Sequence, residues 1–139
     1  MKIAFISCVK TKRNYTCKAQ EMYISDLFKK SLNYRKNNYD KTYILSAKYG
    51  LLELNDIIHP YEKTLNNMSR IELIKWYNIV LKQINVDIKD ELYFHCGIKY
   101  RSGLINLLVN KCHIPLKGLG LGNQLKFYKQ NTDQLKINL

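Results

Sequence analysis

Three apolar runs in this chain end in small polar residues, and cations follow each within a few positions. "KIAFISC" (2–8) ends in Ser7-Cys8 ahead of Lys10 and Lys12. "KTYILS" (41–46) ends in Ser46 ahead of Lys48-Tyr49-Gly50. "ELYFHCG" (91–97) ends in His95-Cys96-Gly97 ahead of Lys99-Tyr100-Arg101. Hydroxyl, thiol and cationic groups gathered in this way suit the recognition of an anion. In an open parallel sheet, ligands bind beyond the carboxyl ends of the strands. If these runs are parallel strands, all three sets meet on one rim.

The elements that would position them alternate. "KIAFISC" is short, apolar and β-branched, as a buried strand should be. Residues 23–37 carry Tyr23, Ile24, Leu27, Phe28, Leu32 and Tyr34 at near-helical spacing, with Ser25-Asp26 at the start. The strand 41–46 follows, then a long polar connection containing "HPYEKTL" (59–65). Ser69 precedes a helix over 70–84 with Glu72 at the capping-box position. The strand 91–97 is stopped by Gly97, and a helix over 99–111 is weakened by Gly103. A short fourth strand is read at 113–119 and a last helix at 123–135. This pattern predicts a single α/β domain over 1–139, three-layered, with a small, mostly parallel sheet of about four strands.

The charge is extreme for the length. Twenty-three Lys and Arg against eleven Asp and Glu give +12. One reading is a polyanionic partner, most simply nucleic acid. The other is compositional bias, since lysine, asparagine, isoleucine and tyrosine are all abundant. The cations are spread along the chain rather than held in a tail, and their placement at three strand ends favours the first reading. The aromatic supply of 11 Tyr, 4 Phe and 1 Trp could stack bases, although a core explains most of it.

Cys8, Cys17, Cys96 and Cys112 form no CxxC pair, and the amino-terminal residues show no secretory pattern. Free thiols, a cytoplasmic location and no membrane span are expected. No metal is expected either. Cys8 and Cys96 lie at strand ends beside His95, but the spacing fits no structural zinc pattern. A Cys8 nucleophile activated by Lys10 is conceivable, without a catalytic His or Asn motif to accompany it. "GLGLGN" (118–123) before a helix could present backbone N–H groups to an anion, or serve only as a tight turn. It lacks the position and spacing of a dinucleotide fingerprint.

Five blocks in order, "SCVKTKR", "YISDLFKKS", "LSAKYGLLE", "HPYEKTL" and "GLGLGNQL", resemble a family of small bacterial and phage domains. Those domains open SCxxxK and carry SAK(H/Y)GLL, PY(D/E)xTL and GLGIGxQL. They are distantly similar to YaaA, a DNA-binding stress protein, and to the uracil-DNA glycosylase-like module of archaeosine synthase. The resemblance implies a glycosylase-type α/β fold and a nucleic-acid or nucleobase ligand, although no GQDPYH-like water-activating segment is present.

Carried onto this chain, the blocks make Ser46 a hydrogen-bond anchor, Lys48 a phosphate or base contact and Gly50 a turn that admits ligand. Tyr49 is a stacking partner. Ser7, Cys8, Lys10 and Lys12 face them across the rim, joined by Tyr61, Gly97, Tyr100, Arg101, Gly120 and Gln124. Glu62 is the first candidate for a catalytic acid and Glu53 the second, since one carboxylate can stabilise the oxocarbenium-like state of a breaking glycosidic bond. For each, a solvated loop carboxylate or a lysine partner is the competing reading.

Three functions stay open at this point. The first is a nucleic-acid-binding domain, DNA ahead of RNA, with glycosylase-like action on a base. The second is an enzyme on free nucleosides or nucleotides, using the same rim. The third is a non-catalytic binding module. A duplex-length basic track would favour the first, and a deep pocket closed by "HPYEKTL" the second. No cofactor is expected, and the sequence leaves the oligomeric state open.

Overall fold

Residues Ile3–Ile6 are buried to the last atom or nearly so, which explains why "IAFI" is apolar at every position. A strand flanked on both edges and covered on both faces has no solvent side. It is the middle strand of a sheet in the computed structural model, which describes residues 1–137, with side chains through residue 131. The elements are β1 (Lys2–Ser7), β2 (Cys17–Lys18), α1 (Ala19–Met22), α2 (Asp26–Tyr34), β3 (Lys41–Ser46), β4 (Gly50–Glu53) and β5 (Ile57–Ile58). They continue with α3 (Arg70–Gln83), β6 (Glu91–His95), α4 (Ile98–Ile105), β7 (Cys112–His113) and α5 (Leu121–Ile137).

The main sheet has five strands in the order β4-β3-β1-β6-β7, all parallel except β4. Strands β2 and β5 form a separate antiparallel ribbon. The chain moves from β1 to β3 on one side, then back across β1 to β6 and on to β7. Right-handed crossovers in opposite directions place α2 on one face and α3 and α4 on the other. Helix α5 returns to pack on α2, and its Tyr128 reaches β6 through His95. The domain is thus mixed α/β in three layers.

Several local expectations hold. Ser25 Oγ accepts the Phe28 N–H, and Ser69 Oγ accepts the Glu72 N–H while donating to the Glu72 carboxylate. Others are corrected. The segment after Ser46 is not a plain connection but a hairpin, with Gly50 at φ 75° re-entering the sheet as β4. The fifth strand was hidden because "SAKYG" reads as loop. The expected helix 23–37 begins later, at Asp26. Tyr23 instead forms a bridge with Lys12 and is buried. The expected strand 113–119 shrinks to Cys112–His113, because Pro115 has no N–H for a ladder and Gly118 turns the chain at φ 80°. Helix α4 ends at Ile105 rather than 111. Among the described residues no helix is long and apolar enough to cross a membrane.

Candidate functional site

The carboxyl ends of β1, β3 and β6 do meet on one rim: Ser7 is paired with Leu45, and Ile6 with both Ile44 and His95. The "SAKYG" block does its work there by holding another segment. Ser46 is fully buried. Its Oγ accepts the N–H groups of Lys48 (3.3 Å) and Tyr49 (3.1 Å), the local bond that makes serine a turn former, and donates to the Tyr61 hydroxyl (2.7 Å). Its carbonyl accepts the Trp76 indole N–H (2.9 Å). Tyr61 also lies 2.6 Å from the buried Tyr23 hydroxyl. One residue pair further out, Tyr49 Oη accepts the His59 N–H (3.2 Å) and donates to the His59 carbonyl (3.4 Å). The segment "HPYEKTL" is therefore tied to the rim by Ser46, Tyr23 and Tyr49.

This geometry corrects the assignments of Tyr49 and Gly50 and locates Lys48. Tyr49 lies in the tie, not in a stacking pocket. Lys48 is exposed and rests over the Tyr49 ring, 5.2 Å from its centroid. Gly50 has no open space for a ligand: a Cβ there would overlap the Gln83 side-chain amide. That amide accepts the Leu51 N–H (2.7 Å) and donates to the Tyr49 carbonyl (3.2 Å), joining the hairpin to α3.

Beneath the tied segment lies a cleft of about 610 Å³. Cys8, Lys10 and Lys12 line it from the loop after β1, Tyr61 and Glu62 from the tied segment, and Tyr100 from α4. Six of the sequence-predicted residues are thus brought together. Cys8 Sγ lies 3.1 Å from the Tyr100 hydroxyl. Lys12 Nζ sits over the Tyr61 ring, 4.6 Å from its centroid, and donates to the Lys10 carbonyl (3.3 Å). Burial pulls its ammonium below the usual lysine range, while Cys8 and Glu62 pull it back up. Burial also raises the Tyr61 and Tyr100 hydroxyls well above the usual tyrosine range, so both remain protonated donors.

Five lining residues were missed by sequence reasoning, the apolar Val9 and the polar Lys63, Thr64, Asn66 and Asn67. A single 3-10 turn, Leu65–Asn67, presents the asparagines, and Thr64 Oγ1 caps it by accepting the Asn66 N–H (3.3 Å). A threonine two residues before a pair of asparagines is the only local signal, and it reads equally well as ordinary loop.

Ser7, Gly97, Arg101 and Gln124 go elsewhere. They line a second cavity of about 400 Å³, on the other side of Val9, walled by α2, α5 and the turn 114–119. Gly120 lines neither opening. It precedes α5 and its carbonyl accepts the Gln124 N–H (3.0 Å), so the glycine-rich stretch serves as a helix start. Glu53 is also displaced. The antiparallel return of β4 sets it opposite Tyr43, near the amino-terminal end of β3, where it pairs with Lys41 at 3.7 Å. A parallel strand would have kept it at the rim.

The four cysteines are free, and burial pushes the Cys96 thiol up to about 12. Among the described residues no group of three or more His, Cys, Asp and Glu is placed to hold a metal. Both ring nitrogens of buried His95 are occupied, Nε2 by the Tyr39 hydroxyl and Nδ1 by that of Tyr128 (2.7 Å).

The site is a cleft lined by aromatic hydroxyls, three lysines and one carboxylate. No curated protein matches the sequence. Residues 3–130 match the profile of a family of unknown function, DUF6884, and the chain belongs to that family.

Proposed function

We propose that the domain takes one nucleotide unit into the Tyr61 cleft and acts on its N-glycosidic bond. The observation that carries this reading is the tied segment. The segment tied by Ser46, Tyr23 and Tyr49 lines a cleft of about 610 Å³ and adds its own acid, the exposed Glu62, to a lining that also holds Lys10 and Lys12. That volume falls within the usual range for small-molecule sites, roughly 300–1,000 Å³. A cleft of this size fits a free nucleotide, or a single unit turned out of a strand, better than a continuous duplex. The resemblance of the sequence blocks to YaaA and to uracil-DNA glycosylase-like modules supports the same ligand class and a glycosylase-type fold.

In this reading Lys10, Lys12 and Lys63 hold phosphate, and the Tyr61 and Tyr100 hydroxyls donate to the base or sugar. Glu62 steadies positive charge developing on the sugar as the bond to the base breaks, and water takes the base's place.

The test is release of free base from nucleoside monophosphates and from single- and double-stranded oligonucleotides with normal and modified bases, run beside Glu62→Gln. The wild type should release base from at least one substrate. The variant should lose at least about 100-fold in rate with binding near wild type. Full activity in the variant removes Glu62 from the mechanism. Tight binding without base release from any substrate would replace catalysis by binding alone.

A further inference from the structure

The second cavity takes no part in the function proposed above, and its lining differs in kind. Its walls are mostly apolar, with Leu27 and Phe28 from α2, Phe94 from β6, Ile98 from α4, Leu116 from the following turn and Tyr128 from α5. The charged groups lining it are Arg101 and Lys117, and among the described lining residues there is no Asp or Glu. Arg101 Nε is wholly shielded from solvent and has no acceptor among the described residues. Buried donors are almost always paired; this guanidinium has no acceptor at Nε, and its outer nitrogens are the atoms that an oxyanion in the cavity meets.

The contrast with Arg35 is informative. Its Nε is equally shielded and unpaired, but the groove it lines also carries Asp40 and Glu53. Carboxylates there oppose an anion. Among the described residues nothing of that sign lines the cavity at Arg101. Gly97, which also lines it, caps α4 without any side-chain hydrogen bond, so the helix start adds no competing acceptor from its cap.

We propose that this cavity binds a small aromatic or apolar molecule bearing one oxyanion, a carboxylate or a phosphate. Arg101 holds the oxyanion, and Leu27, Ile98 and Leu116, which keep accessible surface, contact the body. The guanidinium fork matches both oxyanions in a bidentate way. About 400 Å³ is at the small end of ligand sites, which suits a single ring and its substituent.

The experiment titrates isotope-labelled protein at neutral pH with phenyl phosphate, benzoate and inorganic phosphate, following the arginine Nε–H signals by NMR and affinity by calorimetry. Phenyl phosphate, benzoate or both should shift the Arg101 signal, and the relative affinities tell phosphate from carboxylate. Inorganic phosphate should bind more weakly than phenyl phosphate, because it leaves the apolar walls uncovered. Arg101→Gln should weaken binding at least about tenfold. Leu116→Trp, which keeps the arginine and fills the cavity from a turn, should block it. The double variant Lys10→Gln/Lys12→Gln, in the other cleft, should bind as wild type. An Arg101 signal unmoved at about 10 mM of every probe would overturn the proposal. So would affinity that is lost with Lys10 and Lys12 rather than with Arg101.

Discussion

Val9 lines both openings at the rim, and the chemistry changes across it. On the Tyr61 side the walls are hydroxyls, amides, lysines and one carboxylate, and one of them is a loop segment held by hydrogen bonds. On the Arg101 side the walls are mostly apolar side chains, and among the described lining residues the charged ones are cations. Helix α4 serves both: Tyr100 faces one opening and its neighbour Arg101 the other. The comparison teaches that one row of strand ends can present two unlike surfaces when a helix starts between them. The residues gathered there by sequence spacing are then divided by geometry.

The largest expected effect belongs to the Arg101 side and is a pH effect. Burial lowers His95 to about 4, against an ordinary value near 6.5. The folded state holds it neutral where the unfolded chain would protonate it, so stability is full above about 6.5 and falls as pH drops toward 4. The loss should reach roughly 2–3 kcal/mol by pH 4.5. Urea unfolding across that window checks it. His95→Gln should flatten this part of the slope, whereas Tyr61→Phe should leave it in place. An unchanged slope in His95→Gln would mean that other groups set the acid response.

Gly103→Ala breaks the comparison by disturbing both sides at once. A Cβ at Gly103 would overlap the Tyr77 ring, which seats α4 on α3, and the Tyr77 hydroxyl donates to the Lys99 carbonyl. Overpacking of this kind costs about 1–3 kcal/mol. The variant should lower the melting temperature and weaken ligand binding in both openings. Wild-type stability would show that α4 can shift without consequence.

Ser46→Ala sharpens the comparison, since it touches one side only. It removes the donor to Tyr61 and the acceptor for the Lys48 and Tyr49 N–H groups. The expected loss is about 1–2 kcal/mol in chemical denaturation. Phenyl phosphate binding at Arg101 should be unaffected. A matching loss there would show that the two openings are coupled.

Much of this fold was legible in the sequence because it rests on short-range signals. Buried central strands are apolar throughout, so β1, β3 and β6 were placed to within two residues, and Ser25 and Ser69 marked helix starts by cap chemistry. What was hidden depended on partners distant in sequence. Nothing in "GLLE" says that it pairs back onto β3, and that antiparallel return is what removes Glu53 from the rim. Gly50 looked like a ligand turn because the Gln83 amide filling its space lies on another helix. For the site, the rim itself was readable from three strand ends. Its division at Val9, the tie from Ser46 to Tyr61, and the roles of Lys63, Asn66 and Asn67 follow from tertiary geometry that no spacing encodes.

The smallest effect concerns Lys10 and Lys12. If both contact phosphate, Lys10→Gln/Lys12→Gln should flatten the dependence of log affinity on log salt by about 1.4 for a single-stranded oligonucleotide, at roughly 0.7 per contact. An unchanged slope would place the phosphates elsewhere.

The most direct test of the nucleotide-unit reading is a backbone amide NMR titration with nucleoside 5′-monophosphates, which needs no catalysis. The account predicts shifts concentrated at Cys8–Lys12, at Tyr61–Asn67 and at Tyr100, saturating with one site and abolished by filling the cleft with Asn67→Trp. Saturable shifts confined to residues outside that cleft, or no shifts with any of the four bases, would contradict it.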